Sequence, residues 1–316
     1  MSGGVTSGPH REKTGVMPKT IFIDSTPDID RLWRKVHRSG DPDITVNIEP
    51  VGAGDLPKAI AGFDTVINDA TYFDKETLSR CHDLKHIVFL GTGAASFVDL
   101  AAAASHGIKV STIKGYGDTT VAEHAMGLVF SAVRHIATMH AMVRSNHWRP
   151  MQGFELKGKT LGVIGLGGIG REMARIAAGV GMNVIAYNRS PVSDAAVSIV
   201  SLDDVLARSD VISLHLALND DTRGFLDHAK LAKTKPGVVI VNTARAAVVD
   251  EAALINLLGT GNIGHYATDV FSKEPVSADE PLLKLDNVTL TAHAGYNTPE
   301  AAMTMYRRAI DLAAAG

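Results

Sequence analysis

Thr160-Leu161-Gly162-Val163-Ile164-Gly165-Leu166-Gly167-Gly168-Ile169-Gly170 decides the fold. An apolar strand runs straight into a Gly-x-Gly-x-x-Gly loop, and a helix-like stretch follows through Glu172, Met173, Ala174, Ile176 and Ala177. The first glycine permits a tight turn, the second lets backbone approach a pyrophosphate, and the third lets the helix pack close to the strand. The pyrophosphate is then held by free N–H groups at the positive helix N-terminus. Glycines alone also serve ordinary turns; the strand before and the helix after are what the motif requires. The stretch therefore reads as the phosphate loop of a Rossmann domain, with Gly165, Gly167, Gly168, Ile169 and Gly170 at a dinucleotide.

The next strand, Val184 to Tyr187, should end beside the adenosine ribose. A site for NAD places Asp or Glu there to bind the 2′-hydroxyl. This chain has Asn188-Arg189-Ser190 instead. A guanidinium and a hydroxyl suit a 2′-phosphate, which a carboxylate would repel. The reading is NADP bound by Asn188, Arg189 and Ser190, with NAD, and Arg189 stacked on adenine, as the alternative.

Further strands are expected at Val211 to Leu214, Val238 to Asn242, Tyr266 to Val270 and Val288 to Ala292. Upstream, strands are expected at Lys19 to Asp24, Thr65 to Asn68, His86 to Leu90 and Ile108 to Ser111, with helices at Asp74 to Cys81 and Asp99 to His106. Strands alternating with helices give an α/β fold with parallel sheets. Thr120-Val121-Ala122-Glu123 has capping-box spacing. Apolar positions then recur at helical period from Val121 to Val143, predicting one long helix ended by Trp148-Arg149-Pro150.

The chain has 316 residues, enough for two domains. Its formal charge of −3 gives no electrostatic case for nucleic acid or an anionic membrane. No uncharged apolar run reaches the roughly 20 residues of a membrane helix. The single cysteine, Cys81, excludes an internal disulfide and fits a reducing, cytoplasmic setting. Residues 1–16, rich in Gly, Ser and charge, read as a disordered tail, with Met17 a candidate start. Neither Gly-x-Ser-x-Gly nor His-Glu-x-x-His occurs, which argues against serine and metal hydrolases.

Three segments carry polar residues just after expected strands: Asn242-Thr243-Ala244-Arg245, Asp269-Val270-Phe271-Ser272-Lys273-Glu274-Pro275 and Ala292-His293-Ala294-Gly295. In an open parallel sheet, ligands bind beyond the carboxyl ends of the strands. A lone Arg, Glu or His is ordinarily a surface charge or a structural group. With the glycine loop and Thr120-Val-Ala-Glu-His124, however, these segments resemble the D-isomer-specific 2-hydroxyacid dehydrogenase family, from Ile21 to Ala309. Asn188-Arg189-Ser190 makes the likeness greatest to its glyoxylate and hydroxypyruvate reductases.

The resemblance implies two Rossmann-like parallel-sheet domains with an active-site cleft between them. Residues 17–118 and 296–316 would form the substrate domain and 119–295 the NAD(P)-binding domain. It implies hydride transfer between NADP(H) and a small 2-oxoacid or D-2-hydroxyacid. Arg245 would hold carboxylate and carbonyl oxygen, His293 would be the acid and base, and Glu274 would orient the imidazole. Asp269 would lie near the nicotinamide carboxamide, and Thr120, His215, Thr222 and Thr243 would line the cofactor site; for His215 a packing role competes. Backbone N–H groups of Thr92 and Gly93 would bind the substrate carboxylate, and Tyr72 would line its pocket. His124 is read as structural.

Ala246 and Ala217 stand where the family favours glycine and proline, and Gly93-Ala94-Ala95-Ser96 lacks its usual aromatic and acidic residues. No metal is expected. A homodimer is expected through the apolar-striped helix. Rival readings are a formate- or phosphite-type dehydrogenase, or a dinucleotide-sensing corepressor.

Overall fold

The computed structural model describes residues 18–52, 54–192 and 197–316. The expected N-terminal tail lies outside them. The chain forms two compact units. One takes the described residues up to Tyr116 together with Ala302–Gly316; the other is Gly117–Ala301. The sequence reading placed the joins at 118/119 and 295/296.

The first unit is a five-stranded parallel sheet of β1 (Thr20–Phe22), β2 (Ile44–Val46), β3 (Thr65–Asn68), β4 (His86–Phe89) and β5 (Lys109–Thr112). Its order is β2-β1-β3-β4-β5. Helices α1 (Pro27–Val36), α2 (Leu56–Ala59), α3 (Lys75–Arg80) and α4 (Leu100–Ser105) connect the strands. Thr26, Asp74 and Asp99 cap α1, α3 and α4 by accepting a backbone N–H. β3 and β4 are buried along their whole length, as parallel strands covered on both faces must be.

The second unit opens with α5 (Asp118–Arg134) and α6 (Ile136–Arg144). The single long helix expected from Thr120 to Val143 is thus two, bent by 65°. His135 between them is left-handed, at φ 51° and ψ 37°, and its N–H returns to the carbonyls of Ser131 and Ala132. Apolar spacing resumes after one such residue, so periodicity does not register the break. Nor does α6 extend to Trp148. The expected capping box is absent too: the helix begins at Asp118, two residues before Thr120, with no side chain capping it. Among the described residues no single helix is long and apolar enough to cross a membrane, and α5 is a core helix.

A seven-stranded parallel sheet follows, ordered β12-β11-β10-β9-β6-β7-β8. Its strands are β6 (Thr160–Ile164), β7 (Asn183–Tyr187), β8 (Ser198–Ile199), β9 (Val211–Leu214), β10 (Val238–Asn242), β11 (Ile263–Thr268) and β12 (Val288–Leu290). Helices α7 (Gly168–Val180), α8 (Leu202–Arg208), α9 (His228–Leu231) and α10 (Glu251–Gly259) flank it. One core cluster joins α5 and α7 to one face, and another joins α8, α9 and α10 to the opposite side. The chain leaves β6 toward β7 and β8, then returns to β9 on its other side. The switch between β6 and β9 is where such a sheet offers a crevice beyond its strand ends. The final helix α11 (Pro299–Ala315) sends Met305, Tyr306, Ala309, Ile310 and Ala313 into the first unit's core. Strands β2 and β8 and helix α1 had not been read from sequence.

Candidate active site

The glycine loop joins β6 to α7 at the switch point of the second sheet. Gly165 is at φ 98°, and a Cβ there would collide with the His215 carbonyl. A Cβ at Gly170 would strike the carbonyl of Gly165, and one at Gly168 the carboxylate of Asp118. Around Gly167 the space is open. Two of the three motif glycines are therefore fixed by close backbone approach, while the middle one faces room for a ligand. The N-terminus of α7 is not capped by any side chain.

Asn188 follows β7. Its Oδ1 accepts the Leu166 N–H at 2.9 Å, and its Nδ2 donates to the Ser190 carbonyl at 2.9 Å. The amide thus ties the glycine loop to the end of β7. Arg189 points its Nη1 at Asp221 Oδ2, 2.6 Å away, and both side chains are exposed. The Thr222 hydroxyl is engaged in its own turn, donating to the Ala217 carbonyl at 2.6 Å. His215 contacts Ser213 Oγ at 2.9 Å, and burial pushes its imidazole down to about 4, which keeps it neutral at pH 7. Thr120 Oγ1 lies 3.3 Å from Thr298 Oγ1.

Arg245 follows β10. Asn242, fully buried at the strand end, donates Nδ2 to the Arg245 carbonyl and to Tyr266 Oη, while its Oδ1 accepts the Ala244 N–H. This fixes the turn that presents Arg245. The guanidinium is exposed, touches the Ala244 carbonyl at 2.6 Å, and has no acidic partner among the described residues. Thr243 Oγ1 is buried without a hydrogen-bond partner. A buried hydroxyl left in this state is costly and fits a site completed by a polar ligand.

Glu274 and His293 follow β11 and β12. His293 Nδ1 and Glu274 Oε2 lie 2.6 Å apart, and Glu274 Oε1 accepts the Phe271 N–H at 2.8 Å. Imidazole and carboxyl are both about one-third exposed. The Tyr296 ring meets the imidazole edge-on, with centroids 6.1 Å apart. His293 is left-handed at φ 50°, a conformation with a cost for a residue bearing a Cβ.

Asp269 holds that turn. Its Oδ1 accepts from Thr291 Oγ1 at 2.6 Å and from the Ala294 N–H at 2.9 Å; its Oδ2 accepts the Gly295 N–H at 2.8 Å. His124 Nε2 lies 3.0 Å from Thr291 Oγ1 and 3.4 Å from Asp269 Oδ1. Burial by itself would raise the Asp269 carboxyl, but hydrogen bonds from His124, Thr291, Ala294 and Gly295 outweigh it and hold it at about 2. Tyr266 and Thr291 were read from sequence only as strand residues, and Asn242 only as part of a polar segment. The only signal was a polar residue closing the otherwise apolar run Val238-Val239-Ile240-Val241.

Arg245, Glu274, His293, Asp269, Thr243, His215 and the glycine loop thus follow strands of one sheet, all at its carboxyl edge. Tyr72, Thr92 and Gly93 belong to the first unit. Tyr72 is exposed after β3. Thr92 and Gly93 follow β4, Gly93 opening a short 3-10 turn, and their N–H groups have no partner among the described residues.

A family profile described as "D-isomer specific 2-hydroxyacid dehydrogenase, NAD binding domain" matches residues 126–295. The chain is 38% identical to a hydroxypyruvate reductase of Thermotoga maritima, over 82% of this chain and 86% of that one. It is also 38% identical to a D-3-phosphoglycerate dehydrogenase of Archaeoglobus fulgidus, over 76% of this chain but only 46% of the relative, so it spans about half the length of such enzymes. The crystal structure of a glyoxylate reductase from Paecilomyes thermophila superposes with a TM-score of 0.80, at 31% identity, covering 93% of this chain and 94% of that one.

Proposed function

The chain belongs to the D-isomer specific 2-hydroxyacid dehydrogenases, and from that premise we propose that it interconverts a small 2-oxoacid and its D-2-hydroxyacid with NADP(H). The observation that carries the proposal is the 2.6 Å contact of Glu274 with His293 at the sheet edge that bears the glycine loop and Arg245. With Nδ1 engaged by Glu274, Nε2 is the atom left to exchange a proton with substrate oxygen. A guanidinium with open donors suits the carboxylate and carbonyl of a 2-oxoacid. The N–H groups of Thr92 and Gly93 are proposed to bind a substrate carboxylate, with Tyr72 lining the pocket.

Gly165, Gly167, Gly168, Ile169 and Gly170 would hold the pyrophosphate, and the Thr243 hydroxyl would gain its missing partner from the dinucleotide. When bound, that cofactor supplies or accepts the hydride. In the reducing direction His293 gives the carbonyl oxygen its proton. Asp269 keeps the His293 turn in place, and Arg245 orients the substrate. NADP is favoured because Asn188-Arg189-Ser190 stands directly after β7 in place of an acid, and because the exposed Arg189–Asp221 pair, worth under about 1 kcal/mol, would yield readily to a 2′-phosphate. A second copy of the chain is proposed to cover α6, which has no buried residue and exposes Ile136 and Val143.

The test is His293→Ala. NADPH titration by fluorescence should be unchanged, while kcat for glyoxylate or hydroxypyruvate falls by about 100-fold or more. Near-normal turnover would remove His293 from the role.

A further inference from the structure

The first sheet has its own switch point, between β1 and β3, where the chain turns from β2 back across β1. Ligands collect beyond strand ends at such points. Here the strands end in two acids, Asp24 after β1 and Asp69 after β3. Their situations differ. Asp24 is committed to backbone: its Oδ2 accepts the N–H groups of Asp69, Ala70 and Thr71 at 2.7, 3.1 and 3.3 Å, and its Oδ1 accepts the Thr71 hydroxyl. Asn68 closes the same loop, donating to the Thr71 carbonyl at 3.0 Å and accepting its N–H at 3.1 Å. The loop is therefore internally bonded and holds its shape without a ligand.

Within that loop two polar side chains have no hydrogen-bond partner among the described residues, the Asp69 carboxyl and the Tyr72 hydroxyl. Asp69 is partly buried, and that burial together with the neighbouring Asp24 pushes its carboxyl up to about 6. The cost of placing an acid here is thus visible, and nothing among the described residues of the unit relieves it. Asp69 and the turn carrying Thr92 and Gly93 leave the same ends of neighbouring strands: β3 and β4 are paired, with Asn68 opposite Phe89 and the Leu90 N–H bonded to the Asn68 carbonyl at 2.8 Å.

On the reading that Thr92 and Gly93 bind the substrate carboxylate, we propose that Asp69 selects the substrate by its side chain. A 2-oxoacid ending in a hydrogen-bond donor, such as a hydroxymethyl group, gives Asp69 a partner. One bearing a second anion, a carboxylate or a phosphate monoester, meets like charge. Among the reactions that relatives' names suggest, this favours a hydroxypyruvate-type substrate over a phosphorylated one.

The experiment compares kcat/KM for hydroxypyruvate, pyruvate and oxaloacetate in the wild type, Asp69→Asn and Asp69→Ala, with NADPH titration as the check of folding. The wild type should disfavour oxaloacetate against pyruvate, and both variants should raise the oxaloacetate-to-pyruvate ratio roughly tenfold. The hydroxypyruvate-to-pyruvate ratio should fall. Each ratio is internal to one protein, so a general loss of activity cancels. Ratios that stay within about twofold of the wild type in both variants overturn the assignment. A wild type that binds NADPH yet reduces none of the three overturns the functional reading, and the assignment with it.

Discussion

Arg189 and Asp221 form an exposed pair just beyond β7, where the proposed function puts the 2′-phosphate of NADP. On that proposal the carboxylate would compete with the phosphate for one guanidinium. Removing it in Asp221→Ala should lower KM for NADPH by about two- to fivefold, the range of a surface ion pair, and leave KM for NADH nearly unchanged. Steady-state kinetics with both cofactors check this, and a gain confined to NADH would reverse the NADP reading. Sequence supplied Arg189 and the missing acid. It gave no hint of Asp221, 32 residues further along, nor that Asn188 braces the glycine loop through Leu166. An amide beside a loop looks the same whether it faces the loop or a ligand.

The turn after β12 is held by one side chain from the end of β11. Asp269→Asn should weaken the hydrogen bonds to Ala294, Gly295 and Thr291 and cost about 3 kcal/mol, the loss expected when one partner of a buried charged network is neutralised. Turnover should fall further than stability alone explains, because His293 loses its position. Thermal unfolding and kcat measured together check both. The pH dependence has a definite sign. The Asp269 carboxyl is lowered from 3.8 to about 2 in the fold. Its contribution is present above pH 4 and is lost as pH falls toward 2, amounting to about 2 kcal/mol. Asp41, lowered to about 2 chiefly by the hydrogen bonds of Arg307, adds loss in the same window. The wild type should therefore lose more stability between pH 4 and 2 than Asp269→Asn does.

At the level of the molecule, α6 and the segment after it expose Ile136, Val143 and Trp148, the last at 86%. Helix α5 just before is buried in the core. An apolar helix with no buried face suits a self-complementary contact. Light scattering after gel filtration should give twice the 33.4 kDa of one chain, and Trp148→Glu with Val143→Glu should return the monomer. A monomeric wild type would refute the dimer.

Sequence by itself determined the parts whose information is local. The glycine loop, most strands, the polar groups at their ends and the kinship were legible because strand and helix periods and turn glycines act over a few residues. The break at His135 was not, since one left-handed residue leaves the apolar spacing intact. Only the tertiary structure decided which groups meet. Strand order brings Asp269, just after β11, to Thr291 and Gly295 beyond β12 and to His124 of α5. It leaves Thr222 engaged in its own turn and Thr243 buried without a partner. These meetings depend on how seven strands are ordered side by side, a long-range property that no run of neighbouring residues encodes.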